Sequence, residues 1–212
     1  MLRNKFNIYN IDVVDVFIWN EESLNKISVE KSEKFIFGML CRISKEKQIE
    51  DGVRITKKLY DLGNKVSLIV RGPSLDKQYL EFLNNLIIDL NARDIVKIDT
   101  DPTLPLQIPD FYQNINAFLI TSSVEGGPNT GLECLAAGIP VISYDIGAMR
   151  ERLEPFEDQL IANNFDSMFD KTVQLLNLDS VNYQNLSADL KNHYQDNYSN
   201  KLKLEKTIRF LP

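Results

Sequence analysis

The 212 residues are 43% hydrophobic, with a net charge of −6 and a pI near 4.9, which suits one ordinary domain with a flanking segment and a real apolar core. An acidic chain repels phosphate backbones at long range, which argues against nucleic acid as a partner but leaves room for one small anion held by local Lys and Arg. No apolar run approaches the roughly 20 residues that a membrane helix needs, and the opening MLRNKFNIYN lacks the apolar centre of a signal peptide. The expectation is a cytoplasmic protein without an integral membrane segment, a peripheral position at the inner membrane face staying open. Cys41 and Cys134 stand apart in apolar surroundings, without a CxxC or a histidine cluster, and are expected as buried small hydrophobes.

In chain order, residues 1–33 carry a β-rich connector over 11–19 and then a polar stretch. A buried strand is predicted over 35–40. The spacing of Ile49, Val53, Ile55, Leu59 and Tyr60 predicts a helix over 48–62, closed by Gly63. A strand at 66–70 stops at Gly72-Pro73; a helix follows over 79–90 and a short strand at 95–98. A weak helix at 108–113 leads to a strand at 117–121, a glycine-rich loop, a helix at 129–137 and a strand at 139–144. The tail from 180 to 212 is mainly helical, and His193, the one histidine, is expected at its surface. Strands with continuously apolar centres, separated by helices, indicate an α/β fold: a Rossmann-like parallel sheet with helices on both faces. Such sheets bind ligands at the carboxyl ends of their strands, which directs attention to the loops at Arg42, Gly72, Asp99 and Glu125.

The most informative of these loops runs Thr121-Ser122-Ser123-Val124-Glu125-Gly126-Gly127-Pro128-Asn129-Thr130-Gly131-Leu132-Glu133. A strand ends near an acidic residue, and a Gly-Gly-Pro turn opens a helix. Pro128 suits the first turn, where a missing N–H costs nothing. The free amides of that turn make an anion site, and glycines let a phosphate approach the backbone. Glu133, about one turn into the helix, offers two acceptor oxygens suited to a vicinal diol. Spacing alone is uninformative, since Glu22 and Glu30 are also eight apart.

In this context the segment resembles the E-x7-E motif of family 4 (group 1) retaining glycosyltransferases of the GT-B fold: Glu125, Gly126, Pro128, Asn129, Glu133, Ala136, Gly138, Pro140 and Val141 all match. A second family hallmark, G-R-L-x-x-x-K, is similar to Cys41-Arg42-Ile43-Ser44-Lys45-Glu46-Lys47, with Cys41 in place of the usual glycine. The resemblance covers roughly 34–200 and implies the roles. Arg42 and Lys47 would hold the donor diphosphate and neutralise the leaving nucleotide. Glu125 would face the donor sugar, and Glu133 would bind the ribose hydroxyls. Gly126, Gly127, Pro128, Asn129, Thr130 and Gly131 would support sugar or phosphate. Gly72, Ile98 and Asp99 correspond loosely to the base pocket. No metal or other cofactor is expected, because basic residues and a helix start supply the neutralising charge.

Competing readings fare worse. Gly126 and Gly131 reproduce P-loop glycine spacing, but Leu132-Glu133 stands where Lys-Ser/Thr belongs. No G-x-G-x-x-G follows a strand. A lone histidine and the absence of G-x-S-x-G disfavour a hydrolase, and an epimerase of the same fold wants acid and base groups not found here.

The expected organisation is 1–33 as interdomain connector or remnant of an N-terminal domain, 34–200 as the nucleotide-sugar-binding domain and 201–212 as the start of a helix returning toward that N-terminal domain. The expected activity is transfer, with retention, of a sugar from a nucleoside-diphosphate sugar to a glycan or lipid-linked acceptor. The isolated chain would be inactive without an acceptor domain. The alternatives are a non-catalytic nucleotide-sugar-binding module and a split-transferase subunit whose partner is a separate N-terminal-half chain.

Overall fold

Six apolar segments pair side by side in the computed structural model, which describes residues 15–208. They are β1 (Phe35–Leu40), β2 (Val66–Arg71), β3 (Val96–Asp99), β4 (Ala117–Ile120), β5 (Val141–Tyr144) and β6 (Ile161–Ala162), all parallel in the order β3-β2-β1-β4-β5-β6. The chain walks outward from β1 to β3, then returns to lie beside β1 as β4. The chain leaves β1 toward β2 and β4 toward β5, in opposite directions along the sheet, and such a switch point opens a crevice at the carboxyl edge between β1 and β4. Phe37, Leu68, Phe118 and Val141 are buried, as a sheet covered on both faces requires.

The helices present apolar stripes to this sheet. After α1 (Glu21–Asn25), α2 (Ile49–Asp61) buries Ile49, Val53, Ile55 and Leu59. The Asp76 carboxylate accepts from the Tyr79 amide and caps α3 (Lys77–Asp89). A short α4 (Ile108–Gln113) precedes β4, and α5 (Asn129–Ala137) joins β4 to β5. Two one-turn helices, α6 (Met149–Arg152) and α7 (Glu157–Leu160), lead to β6. The asparagine and aspartate caps Asn164 and Asp179 start α8 (Phe165–Asn177) and α9 (Ser180–Asn197), and α10 (Asn200–Ile208) follows.

The predicted strands and helices between 35 and 144 are all present, with ends shifted by at most two residues. Of the β-rich connector expected over 11–19, residues 15–19 form no strand, and 11–14 lie outside the described residues. Ile18, Leu24, Ile27 and Val29 are instead buried in the common core. Asn200 explains the placement of 15–20, because its side chain accepts from the Ile18 amide (3.0 Å) and donates to the Ile18 carbonyl (2.7 Å), satisfying that backbone without a sheet. The sequence reading missed β6, whose two residues are too few for a periodic signal. His193 is not a free surface group. Its Nε2 lies 2.9 Å from the Arg152 carbonyl, and its ring meets Phe156 and Tyr198 edge-on.

Candidate functional site

The loops after β1 and β4 are bound to each other at the crevice. The one-turn helix Lys45–Lys47 presents the Glu46 carbonyl to the Ser123 amide (2.8 Å), and the Thr121 hydroxyl donates to the Lys47 carbonyl (2.6 Å). This backbone stitching delivers the Lys47 ammonium to Glu125, to which it donates in a half-buried ion pair. The Ser122 hydroxyl donates to the same Glu125 oxygen at 3.1 Å. The two segments singled out in the sequence thus meet through backbone hydrogen bonds and a charge pair.

A cavity of about 290 Å³ opens between them, with Cys41, Arg42, Lys47, Glu125, Asn129 and Thr130 on its walls. Its floor is apolar, formed by the ends of β1 and β4. Arg42 stands at the mouth, 60% exposed and 3.5 Å from Glu46. Burial is the main force that pushes the Cys41 thiol up to about 12; the Lys47 charge opposes it weakly. Pro128 is the N-cap of α5 rather than a member of its first turn. As first residues of the helix, Asn129 and Thr130 have amides without a helical acceptor, so the positive end of α5 faces the cavity.

Glu133 lies outside that wall, a turn further along α5. Its Oε2 accepts from the hydroxyl of the buried Tyr112 at 2.7 Å. Burial raises the Glu133 carboxyl above the usual glutamate range, and the Tyr112 hydrogen bond only partly offsets this.

The other expected residues divide. Gly126 and Gly127 line a second cavity on the far side of the turn. A Cβ on Gly131 would come within 2.5 Å of Met149 Sδ, so this glycine serves helix packing. Gly72, Ile98 and Asp99 do not line the first cavity. Gly72 has φ +146° and a Cβ there would be 2.0 Å from the Cys41 carbonyl oxygen, so it lets the loop after β2 press against the loop after β1. Asp99 is engaged by Arg71 Nε and Nη2, at 3.0 and 2.8 Å. Tyr112 and Arg152 were not read from the sequence as part of this region. Tyr112 sits in a short helix whose apolar neighbours suggest only core, and Arg152 in a charged one-turn helix that suggests only surface.

With this geometry in view, the comparisons with known proteins are specific. The sequence profile described as "Glycosyl transferases group 1" matches residues 20–194. The chain belongs to that glycosyltransferase family. It is 25% identical over 164 residues to the capsular polysaccharide biosynthesis glycosyltransferase CapM of Staphylococcus aureus, covering 76% of this chain and 41% of CapM. It is 32% identical over 124 residues to the alpha-monoglucosyldiacylglycerol synthase of Streptococcus pneumoniae, covering 58% of this chain and 27% of the synthase. The match therefore spans less than half the length of either relative.

Among solved structures, S. aureus TarM in complex with fondaparinux, alpha-GlcNAc-glycerol and UDP superposes with a TM-score of 0.79 at 19% identity, over 97% of this chain and 40% of TarM. The Anabaena protein HepE in complex with UDP and glucose gives 0.73 at 16% identity, over 84% of this chain and 49% of HepE. The C-terminal domain of the group 1 glycosyl transferase LpcC from Francisella tularensis gives 0.68 at 18% identity, over 90% of this chain and the whole of that domain. The fold is accordingly that of the C-terminal half of a GT-B protein. Among the described residues no helix is long and apolar enough to cross a membrane.

Proposed function

We propose that the crevice between β1 and β4 binds a nucleoside-diphosphate sugar, and that this chain is the donor half of a retaining glycosyltransferase. The Lys47–Glu125 pair beside the open end of α5 carries the reading, since it joins the two family segments at the topological switch point. An ammonium has three donors, so Lys47 can keep Glu125 and still reach a phosphate oxygen. Arg42 at the mouth would take a second phosphate oxygen. The amides of Asn129 and Thr130 would take another, which leaves Glu125 beside the sugar.

Chemically, the bond between the anomeric carbon and the β-phosphate oxygen breaks, and the acceptor hydroxyl forms its bond on the same face. Its proton passes to the departing phosphate oxygen. Lys47, Arg42 and the helix start stabilise the negative charge that develops on the diphosphate, the dominant task in such a displacement. Glu133, held by Tyr112, would accept from the ribose hydroxyls. UDP in the TarM and HepE complexes supports a nucleoside diphosphate as ligand class, and the names of CapM and the glucosyldiacylglycerol synthase support a glycan or lipid-linked acceptor. Charge neutralisation by these side chains removes the need for a metal, so binding should persist in EDTA.

Transfer also needs the acceptor hydroxyl held against the anomeric carbon, and that positioning supplies much of the rate. The isolated chain is therefore expected to bind donor and hydrolyse it slowly at most. The experiment is donor hydrolysis and transfer by the purified chain, alone and with the N-terminal half of a family member added, the product anomer being read by proton NMR. A product of inverted configuration would contradict retention. Vigorous Glu125-dependent transfer by the chain alone would contradict the division of labour.

A further inference from the structure

Gly126 and Gly127 line the second cavity, in the turn between Glu125 and Pro128 of the first, and a buried guanidinium lies against them. Arg152 is 2% exposed. Its Nη1 donates to the Pro128 carbonyl at 2.7 Å, while Nη2 and Nε donate to the two carboxylate oxygens of Asp15 at 2.7 and 3.0 Å. Gly127 cannot carry a side chain comfortably, because a Cβ would lie 3.0 Å from Arg152 Nη2. The turn is fixed from a second direction by the Ala148 amide, which donates to the Gly126 carbonyl at 3.0 Å. Gly147, at φ +51°, brings that amide in where a Cβ would be 2.4 Å from the same carbonyl oxygen. Asp15 is fixed in turn: Lys203 Nζ donates to the Val16 carbonyl at 2.5 Å, and Asn200 pairs with both backbone groups of Ile18.

We infer that Arg152 is a positioning residue for the donor site, acting through the Gly126-Gly127-Pro128 turn, and that Asp15 couples the docking of residues 15–18 to that turn. The inference rests on the donor-site reading given above. A buried arginine without its carboxylate is an uncompensated charge, so the guanidinium keeps its place under the turn only while Asp15 is docked. The fork geometry is needed too: a lysine ammonium could not hold Pro128 and both Asp15 oxygens at once. Because coupling between two binding events is reciprocal, whatever 15–18 contributes to nucleotide affinity the nucleotide must return to the docking of 15–18.

The test uses the full chain with UDP and GDP as probes. Arg152→Lys and Asp15→Asn should each weaken binding on the order of 5- to 10-fold, at the lower end of usual coupling strengths, while Asp15→Glu recovers part of the loss. In the unaltered chain, saturating nucleotide should slow amide hydrogen exchange at Val16 and Ile18 by a similar factor, which a purely structural role for the pair would not produce. This second measurement stands even if a variant fails to fold. If the unaltered chain binds neither nucleotide, the donor-site reading has failed. If it binds while a folded Asp15→Asn binds within twofold, or exchange at Val16 and Ile18 is unchanged, the coupling is wrong.

Discussion

Lys47 Nζ donates to Glu125 Oε1, joining the loop after β1 to the loop after β4 across 78 positions of sequence. The lysine side chain is 13% exposed, whereas Arg42 at the mouth is 60% exposed. Charges at the mouth act through a higher effective dielectric. Lys47→Ala should therefore cost more diphosphate affinity than Arg42→Ala, about 1–3 kcal/mol for the lysine as for other charged hydrogen bonds. Titration calorimetry of both variants checks the order, and equal losses would contradict it.

Glu125 places a negative charge beside the expected phosphate. Glu125→Gln removes that repulsion and frees Lys47, so affinity for the bare nucleoside diphosphate should hold or rise. Turnover of the sugar donor should fall, because the sugar loses its carboxylate. Equilibrium binding and donor hydrolysis on the same preparation separate the two effects; a parallel fall in both would show that Glu125 only supports the fold.

The Tyr112–Glu133 contact gives a pH-dependent expectation. Burial raises the Glu133 carboxyl above its ordinary value of 4.5, against the smaller lowering by the Tyr112 hydroxyl. As pH falls through the mildly acid range, Glu133 takes up its proton before exposed carboxylates do, and one oxygen ceases to accept. Preference for ribo- over deoxyribonucleotides should weaken over that window. For stability the sign is opposite: a raised folded value means that the fold is penalised as pH rises through it. Glu133→Gln should thus raise the melting temperature at neutral pH while abolishing the ribose preference. Tyr112→Phe should weaken the preference and lower the melting temperature at neutral pH, because the buried carboxylate loses its donor. Melts and competition binding across the acid range decide both points.

Gly72→Ala should be among the costliest single changes. Its positive φ disfavours any side chain, and the Cβ would strike the Cys41 carbonyl at 2.0 Å. Strain of this kind is worth about 1–3 kcal/mol, with the backbone clash added. A loss of less than 1 kcal/mol in denaturant melts would show that the two loops are looser than described.

The thiols offer a simple check on the cavity floor. With Cys41 pushed up to about 12 and Cys134 fully buried, neither should react with a disulfide reagent at pH 8 until the chain is unfolded. Reaction of one thiol in the native protein at the rate of a free cysteine would place Cys41 in open solvent.

The strands between 35 and 144 were legible because each is a short apolar run between periodic helices. The candidate site was legible where its residues are local in sequence: Arg42, Lys47, Glu125, Asn129 and Thr130 come from two contiguous motifs and line one cavity. What the sequence hid depends on distant pairing. Nothing around Asp15 marks it as the counter-charge of Arg152, 137 positions away, and Tyr112 reads as one more aromatic on an apolar helix. Gly72 and Gly131 signal an unusual backbone or close approach, but only the folded neighbours, Cys41 and Met149, show that each serves packing. The β-like reading of 15–19 failed for the same reason, since Asn200 lies far beyond the window in which that stretch looks β-like.

The most direct test of the donor-site assignment is a UDP and GDP titration of the purified chain in EDTA, followed through backbone amide chemical shifts. One saturable site is predicted for at least one of the two nucleotides, with the largest shifts over 42–47 and 121–133 and a much weaker response in Lys47→Ala. Absence of saturable shifts at millimolar nucleotide, or shifts confined to surfaces away from β1 and β4 and indifferent to Lys47→Ala, would contradict the account.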